Sequence, residues 1–123
     1  MADSFRALVI DDDHDLLNLI RRTLEFMGGW EVRTASSGAA GLEVARELRP
    51  DVIVVDLMMP EMDGYEVARR LKADASTAGT PIVLLTARRD LDPQRLAGAG
   101  AAGVVYKPFD PMELAKQIRE LCA

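Results

Sequence analysis

The stretch Val52-Ile53-Val54-Val55-Asp56 decides the fold, because four consecutive β-branched apolar residues end there in a carboxylate. A run without polar alternation is typical of a strand covered on both faces, as in the middle of a parallel sheet. Similar runs lie at residues 7–10, 82–85 and 103–106. Residues 30–34 instead alternate apolar with polar side chains, which is typical of an edge strand.

Amphipathic patterns typical of helices separate these five strands. The first has an apolar stripe made of Leu16, Leu17, Ile20, Leu24 and Met27. The others lie within residues 41–49, 65–72, 93–99 and 111–121. The fourth is weak, because Gly98 costs about 1 kcal/mol relative to alanine inside a helix. This strict alternation predicts an α/β protein, with a doubly wound parallel sheet and helices on both faces.

Composition excludes several classes of protein. The 123 residues suffice for one domain, and 20 acidic against 15 basic residues give a net charge of −5. Since no basic block stands out, we expect no nucleic-acid partner. No apolar run approaches the 20 or so residues of a membrane span, and Cys122 is the single cysteine. We therefore expect a soluble, cytoplasmic protein that does not bind a membrane.

Polar side chains follow four of the five predicted strands. Asp11-Asp12-Asp13 follows the first strand, Asp56 ends the third, Thr86-Ala87 ends the fourth, and Lys107 follows the fifth. Parallel strands all end at the same edge of their sheet, and ligands of open α/β sheets bind outside this carboxyl edge. Two carboxylates about 5 Å apart repel by roughly 3 kcal/mol at an effective dielectric of 20. Such a cluster holds a proton or a cation, and its oxygen ligands favour Mg²⁺ or Mn²⁺.

The same group of side chains is suited to phosphorus chemistry. One carboxylate beside the cation, near Lys107 and Thr86, would act as a nucleophile toward phosphorus and form an acyl phosphate. The lysine would neutralise the transferring group, and the hydroxyl would bond one of its oxygens. Asp13 is more consistent with a helix N-cap than with a metal ligand.

Four segments carry a resemblance to a known family. They are LVIDDD at residues 8–13, VVDLMMPEMDG at 54–64, PIVLLTA at 81–87 and GAAGVVYKPF at 100–109. In this order and at these spacings, the chain resembles the receiver domain of response regulators in two-component signalling, close to the single-domain chemotaxis type. The resemblance covers essentially all 123 residues. It implies a flavodoxin-like (βα)5 fold with strand order 2-1-3-4-5, and we expect residues 1–123 to form one receiver domain without an output domain.

The resemblance also implies the roles of the acidic residues. Asp56 would accept a phosphoryl group from a phosphohistidine on a sensor histidine kinase or a histidine phosphotransfer protein. Asp12 would bind Mg²⁺ directly and Asp11 largely through water. The backbone carbonyl of Met58 would complete the protein ligands.

The remaining implied roles concern the change in conformation that phosphorylation would cause. Lys107 would contact the phosphoryl group, Thr86 would swing toward it, and Ala87 would leave room for that movement. The Lys107–Pro108 peptide would be cis. A downstream protein target would bind the fourth helix, fifth strand and fifth helix, and the chain would be a monomer or weak dimer. It would phosphorylate and dephosphorylate itself without being a turnover enzyme.

One position departs from the family pattern. Many receivers carry an aromatic residue three positions before the lysine, where this chain has Val104. Tyr106 precedes Lys107 instead, and strand alternation puts it on the same face as Val104. We therefore expect activation to act through the loop after Thr86 and the weak fourth helix.

Two other interpretations remain open. A receiver fold that binds a partner regardless of phosphorylation would also fit, and Val104 weakly favours it. A flavodoxin-like or phosphatase-like enzyme is less consistent, because three aspartates after the first strand repel phosphate unless a metal is bound. The spacing of Asp11 and Asp13 also occurs in one phosphatase family, but the other signals of that family are not evident.

Overall fold

The computed structural model describes residues 4–123, which form five strands alternating with five helices. In chain order these are β1 (Arg6–Ile10), α1 (His14–Gly28), β2 (Glu31–Ala35), α2 (Gly38–Leu48), β3 (Val52–Asp56), α3 (Gly64–Ala73), β4 (Ile82–Thr86), α4 (Pro93–Ala99), β5 (Gly103–Tyr106) and α5 (Leu114–Cys122). All strand pairs are parallel, and the sheet order is β2-β1-β3-β4-β5. The predicted doubly wound fold and its strand order are confirmed.

The central strands bury both of their faces. In β3, Ile53 and Val55 belong to an apolar cluster shared with α2, α3 and α4, while Val52 and Val54 belong to a second cluster shared with α1 and α5. We call the first side of the sheet the α4 side and the second the α5 side. This double coverage explains why β3 carries no polar alternation.

Trp30 lies just before β2, which begins one residue later than the sequence pattern indicated. Its indole is buried and packs against Phe5, with ring centroids 4.7 Å apart. The same ring fills the space beside Gly28, where an added Cβ would lie 2.7 Å from Trp30 Nε1. Trp30 therefore covers the α5 side of the sheet near the amino end of β2, and it does not pair in the sheet.

Two helix predictions differ in detail from the structure. The sequence pattern places Met27 in the apolar stripe of α1, whereas in the structure it lies in the last turn and is 41% exposed. The sequence pattern starts the last helix at Pro111, whereas in the structure α5 begins at Leu114 and Pro111 lies in the preceding turn. Both differences fall at helix ends, where local hydrogen bonds decide the boundary. No helix among residues 4–123 is both long enough and apolar enough to cross a membrane.

Gly64, at the start of α3, lies against the end of β3. A Cβ added at Gly64 would be 2.6 Å from the carbonyl oxygen of Asp56 and 2.8 Å from the Cα of Leu57. The backbone N–H of Gly64 also donates a hydrogen bond to the Leu57 carbonyl, at 2.9 Å. Only a residue without a side chain allows this approach, which fixes the backbone around Asp56.

Candidate functional site

Three carboxylates meet at the carboxyl edge of the sheet. Asp11 follows β1 and Asp56 ends β3, which are neighbouring strands with Ile10 paired to Val55. One carboxylate oxygen each from Asp11, Asp12 and Asp56 lies within 4.8 Å of the others. Asp11 and Asp56 are buried, whereas Asp12 is exposed. The cluster is therefore open to solvent on the side of Asp12.

Lys107 brings a positive charge to this cluster from the end of β5. Its Nζ donates a hydrogen bond to Asp56 Oδ1 at 3.0 Å and lies 3.6 Å from Asp11 Oδ2. Val105, two residues earlier, packs on the α5 side, and alternation places Lys107 on that side as well. The preceding strand thus aims the ammonium group at Asp56. The Lys107–Pro108 peptide is cis, as the resemblance implied.

Burial dominates the electrostatics of Asp11. It raises the pKa of this carboxyl from 3.8 to about 6, although the N–H of Asp13 donates to Asp11 Oδ1 at 3.0 Å and opposes the change. Asp11 Oδ2 is buried and has no hydrogen-bond partner among the described residues. Its nearest cation is the Lys107 ammonium at 3.6 Å. A buried carboxylate oxygen without a hydrogen bond, beside two other carboxylates, is suited to a hard divalent cation, which would offset the cost of burying it.

Asp56 is also buried, but the Lys107 ammonium lies closer to it, at 3.0 Å, than to Asp11, at 3.6 Å. Burial raises its pKa, and the hydrogen bond from Lys107 is the largest opposing effect. The carboxylate of Asp56 thus has Lys107 as a positive partner and a hydrogen bond from the Met58 backbone, whereas the nearby charge of Asp12 opposes its ionisation. This arrangement favours an ionised, nucleophilic Asp56 whenever a cation also balances Asp11 and Asp12.

Thr86 is fully buried, but its hydroxyl faces its own loop. Thr86 Oγ1 accepts a hydrogen bond from the backbone N–H of Arg88 at 3.0 Å, and no hydrogen bond joins it to Asp56 in the described part of the chain. Ala87 is exposed, and Met58 is 53% exposed beside the site. The structure therefore brings together Asp11, Asp12, Asp56 and Lys107, and leaves the Thr86 hydroxyl apart from them.

A polar network that the sequence did not indicate joins α3 to α4. The guanidinium of Arg95 forms an ion pair with Asp63 at 2.9 Å and lies 4.6 Å from the ring centroid of Tyr65. The Tyr65 hydroxyl accepts a hydrogen bond from the N–H of Asp92 at 3.1 Å. This network borders a cleft of about 270 Å³ that also reaches Arg88. No spacing in the sequence pairs these residues, since their contacts depend on how α3 and α4 pack.

Comparison with protein families agrees with this geometry. Residues 7–119 match the family model described as response regulator receiver domain. The chain is 39% identical over 118 residues to the DNA-binding dual master transcriptional regulator RpaA of Synechocystis, covering 94% of this chain and 48% of that protein. It is 41% identical over 116 residues to the DNA-binding response regulator MtrA of Mycolicibacterium smegmatis, covering 93% and 49%. The chain thus spans about half the length of these relatives.

Solved structures show the same architecture. The chemotaxis protein CheY4 of Vibrio cholerae superposes with a TM-score of 0.89 at 32% identity, covering 97% of this chain and 99% of that one. A response regulator from Chloroflexus aurantiacus superposes with a TM-score of 0.86, also at 32% identity, covering 98% of both chains. Receiver domains are phosphoacceptor signalling proteins that bind Mg²⁺ at an acidic pocket. By its family match, its fold and its acidic edge, this chain belongs to the receiver domains of two-component response regulators.

Proposed function

We propose that Asp56 is the phosphoacceptor of this receiver domain and that phosphorylation changes a protein-binding surface. The observation that carries the proposal is the buried Asp56 carboxylate, bonded to Lys107 at 3.0 Å and adjacent to Asp11 and Asp12. Asp56 alone in this cluster has both burial and a hydrogen-bonded cation. Of the three acids, it is therefore the best placed to react with phosphorus.

The transfer exchanges one bond to phosphorus for another. An oxygen of Asp56 forms a bond to phosphorus while the phosphorus–nitrogen bond of a donor phosphohistidine breaks. The electron pair of the broken bond stays on the imidazole nitrogen, and Asp56 becomes an acyl phosphate. Lys107 then bonds a phosphoryl oxygen and offsets its negative charge. In self-dephosphorylation, a water oxygen replaces the Asp56 oxygen on phosphorus, and inorganic phosphate leaves.

The proposed metal site uses the acids that flank Asp56. Asp12 and Asp56 would bind Mg²⁺ (or Mn²⁺) directly, Asp11 largely through water, and Met58 through its backbone carbonyl. The buried Oδ2 of Asp11, which has no hydrogen bond among the described residues, supports this assignment. A bound Mg²⁺ would neutralise oxygen charge during phosphoryl transfer.

The partners follow from the same proposal. A sensor histidine kinase or a histidine phosphotransfer protein would supply the phosphoryl group, and a downstream protein would recognise the modified state through α4, β5 and α5. Two relatives are DNA-binding regulators. The absence of nucleic-acid binding by this chain therefore stays a prediction, supported by its net charge of −5.

The test is incubation with acetyl phosphate and Mg²⁺, followed by intact mass measurement. We expect one phosphoryl adduct that hydroxylamine removes, and none in the Asp56→Asn variant or with EDTA. An adduct that persists in Asp56→Asn would overturn the assignment. If wild type gives no adduct and binds neither Mg²⁺ nor beryllofluoride, the phosphorylation-independent interaction module becomes the better interpretation.

Met58 and Arg88 are expected to slow self-dephosphorylation. They lie two residues after Asp56 and Thr86 and line the same cleft. A bulky apolar side chain and a long cation there would screen the acyl phosphate from water. We expect the Met58→Asn, Arg88→Glu double variant to lose its phosphoryl group about tenfold faster, below the ~10²-fold effect of a well-placed general base. The decay of the adduct, followed by mass, measures this rate, and unchanged or slower decay would contradict the prediction.

A further inference from the structure

Tyr106 occupies the place beside Thr86 on the sheet. The register of β4 and β5 pairs Thr86 with Tyr106, just as it pairs Leu84 with Val104. Val104 packs on the α4 side, and strand alternation places Tyr106 on that side too. Residues paired in parallel strands point to the same face, so Thr86 and Tyr106 are neighbours there.

The loop after β4 holds both of these residues. The N–H of Arg88 donates to Thr86 Oγ1 at 3.0 Å. The guanidinium of Arg89 lies 4.2 Å from the ring centroid of Tyr106, a cation–π contact. Two adjacent loop residues therefore fix the threonine hydroxyl and the tyrosine ring at the same time.

This arrangement opposes the swing of Thr86 toward a phosphoryl group on Asp56 that the family resemblance implies. Alternation places Thr86 on the α4 side and Lys107 on the α5 side, and the Thr86 hydroxyl oxygen accepts from the Arg88 N–H. If the Thr86 side chain rotates so that its O–H donates to a phosphoryl oxygen on Asp56, Oγ1 moves with it and the Arg88 N–H loses its acceptor. The loop must then shift to recover a hydrogen bond, which draws Arg89 away from Tyr106.

We propose that the contact between Arg89 and Tyr106 is a latch that stabilises the unphosphorylated loop and takes the place of the missing aromatic residue at Val104. The latch makes Arg89 and Tyr106 positioning residues that act through Thr86. The inference rests on the proposed function, because it assumes a phosphoryl group on Asp56. By linkage, a contact made only without the phosphoryl group weakens binding of a phosphoryl mimic by the same factor that the mimic weakens the contact.

The test measures beryllofluoride affinity in the presence of Mg²⁺. Arg89→Met and Tyr106→Leu should each bind the mimic about two- to fivefold more tightly than wild type, the range of an exposed cation–π contact. Tyr106→Phe keeps the ring and should match wild type. Combining Arg89→Met with Tyr106→Leu should give no tighter binding than either change alone.

If only the charge of Arg89 mattered, Arg89→Met would change the beryllofluoride affinity in the opposite direction. Removing a positive charge near an anionic ligand weakens binding. The matched control is Arg69→Met on α3, where Arg69 is bonded to Glu66 outside this loop; it should leave the affinity unchanged or slightly weaker. Unchanged or weaker binding by both Arg89→Met and Tyr106→Leu would overturn the latch.

Amide hydrogen exchange supplies a second measurement. In wild type, the mimic should increase exchange across residues 87–99. Without the mimic, Arg89→Met should already show part of that increase. Equal exchange in wild type with and without bound mimic would overturn the inference even if affinities changed. If wild type does not bind beryllofluoride at all, the proposed function fails instead.

Discussion

Replacing Asp11 by asparagine is expected to stabilise the metal-free protein while weakening its binding of Mg²⁺. Burial raises the pKa of Asp11 from 3.8 to about 6, so an ionised Asp11 opposes folding at neutral pH. Each tenfold change in proton affinity is 1.36 kcal/mol, and the gain is therefore up to about 3 kcal/mol. Urea unfolding at pH 7 in EDTA measures it.

The same substitution should change the pH dependence of stability. Between pH 3.8 and about 6, folded wild type holds a proton on Asp11 that the unfolded chain has released. The free energy of unfolding of metal-free wild type therefore falls as pH rises through this interval. Asp11→Asn should lose that part of the slope, while Asp56, whose pKa is also raised by burial, keeps its own part.

Mg²⁺ is expected to favour wild type, because it should raise the free energy of unfolding of wild type more than that of Asp11→Asn. A ligand at 100 times its Kd stabilises a folded protein by about 2.7 kcal/mol, so Mg²⁺ at 100 times the wild-type Kd should stabilise wild type by more than Asp11→Asn. Glu47→Gln on α2 removes the same charge from an exposed position and should change stability by less than about 0.5 kcal/mol. An Asp11→Asn protein less stable than wild type in EDTA at pH 7 would show that burial of this charge is not the dominant effect.

Gly64→Ala is expected to be the most damaging small substitution near the site. The added Cβ would lie 2.6 Å from the Asp56 carbonyl oxygen and 2.8 Å from the Leu57 Cα, and both are backbone atoms that cannot rotate away. We expect a loss of about 3 kcal/mol, the upper end of the range for overpacking. Because the backbone of Asp56 must shift, phosphorylation by acetyl phosphate should slow as well.

Gly98→Ala is the matched control for this prediction. Gly98 lies inside α4, and apart from its chain neighbours and the helix's own backbone no atom lies within 4 Å of the place its Cβ would take. Alanine there should stabilise the protein by up to about 1 kcal/mol, because glycine is the poorer helix former. Urea unfolding of both variants measures the change in the free energy of unfolding. Each variant adds one methyl group, at a crowded position in Gly64→Ala and at an open one in Gly98→Ala. Equal effects of the two substitutions would show that the close approach at Gly64 is not what limits stability.

The sequence predicted the sheet and the charged part of the site for one physical reason. Runs of β-branched residues such as 52–55 are buried on both faces, and parallel strands end at one edge. Asp11, Asp56 and Lys107 follow such runs directly, so their meeting depends only on strand order and alternation.

Features set by flexible side chains and loops could not be predicted in this way. The hydroxyl of Thr86 can rotate toward Asp56 or toward its own loop, and only the structure shows that it bonds Arg88. Arg89 has several rotatable bonds, and its contact with Tyr106 depends on the path of a loop without periodic pattern. Trp30 was similarly misplaced in β2, since its indole serves the core beside Phe5 rather than the strand.

The position of Trp30 gives the protein a built-in optical probe of unfolding. It is the single tryptophan of the chain, and it is buried at the amino end of β2. The five residues of that strand, at about 3.3 Å each, put it roughly 16 Å from the edge where Asp56 lies. Its fluorescence should therefore follow loss of the core and stay constant when the acidic edge is modified. Trp30 fluorescence would then report the stability of the fold without interference from the occupancy of the acidic site.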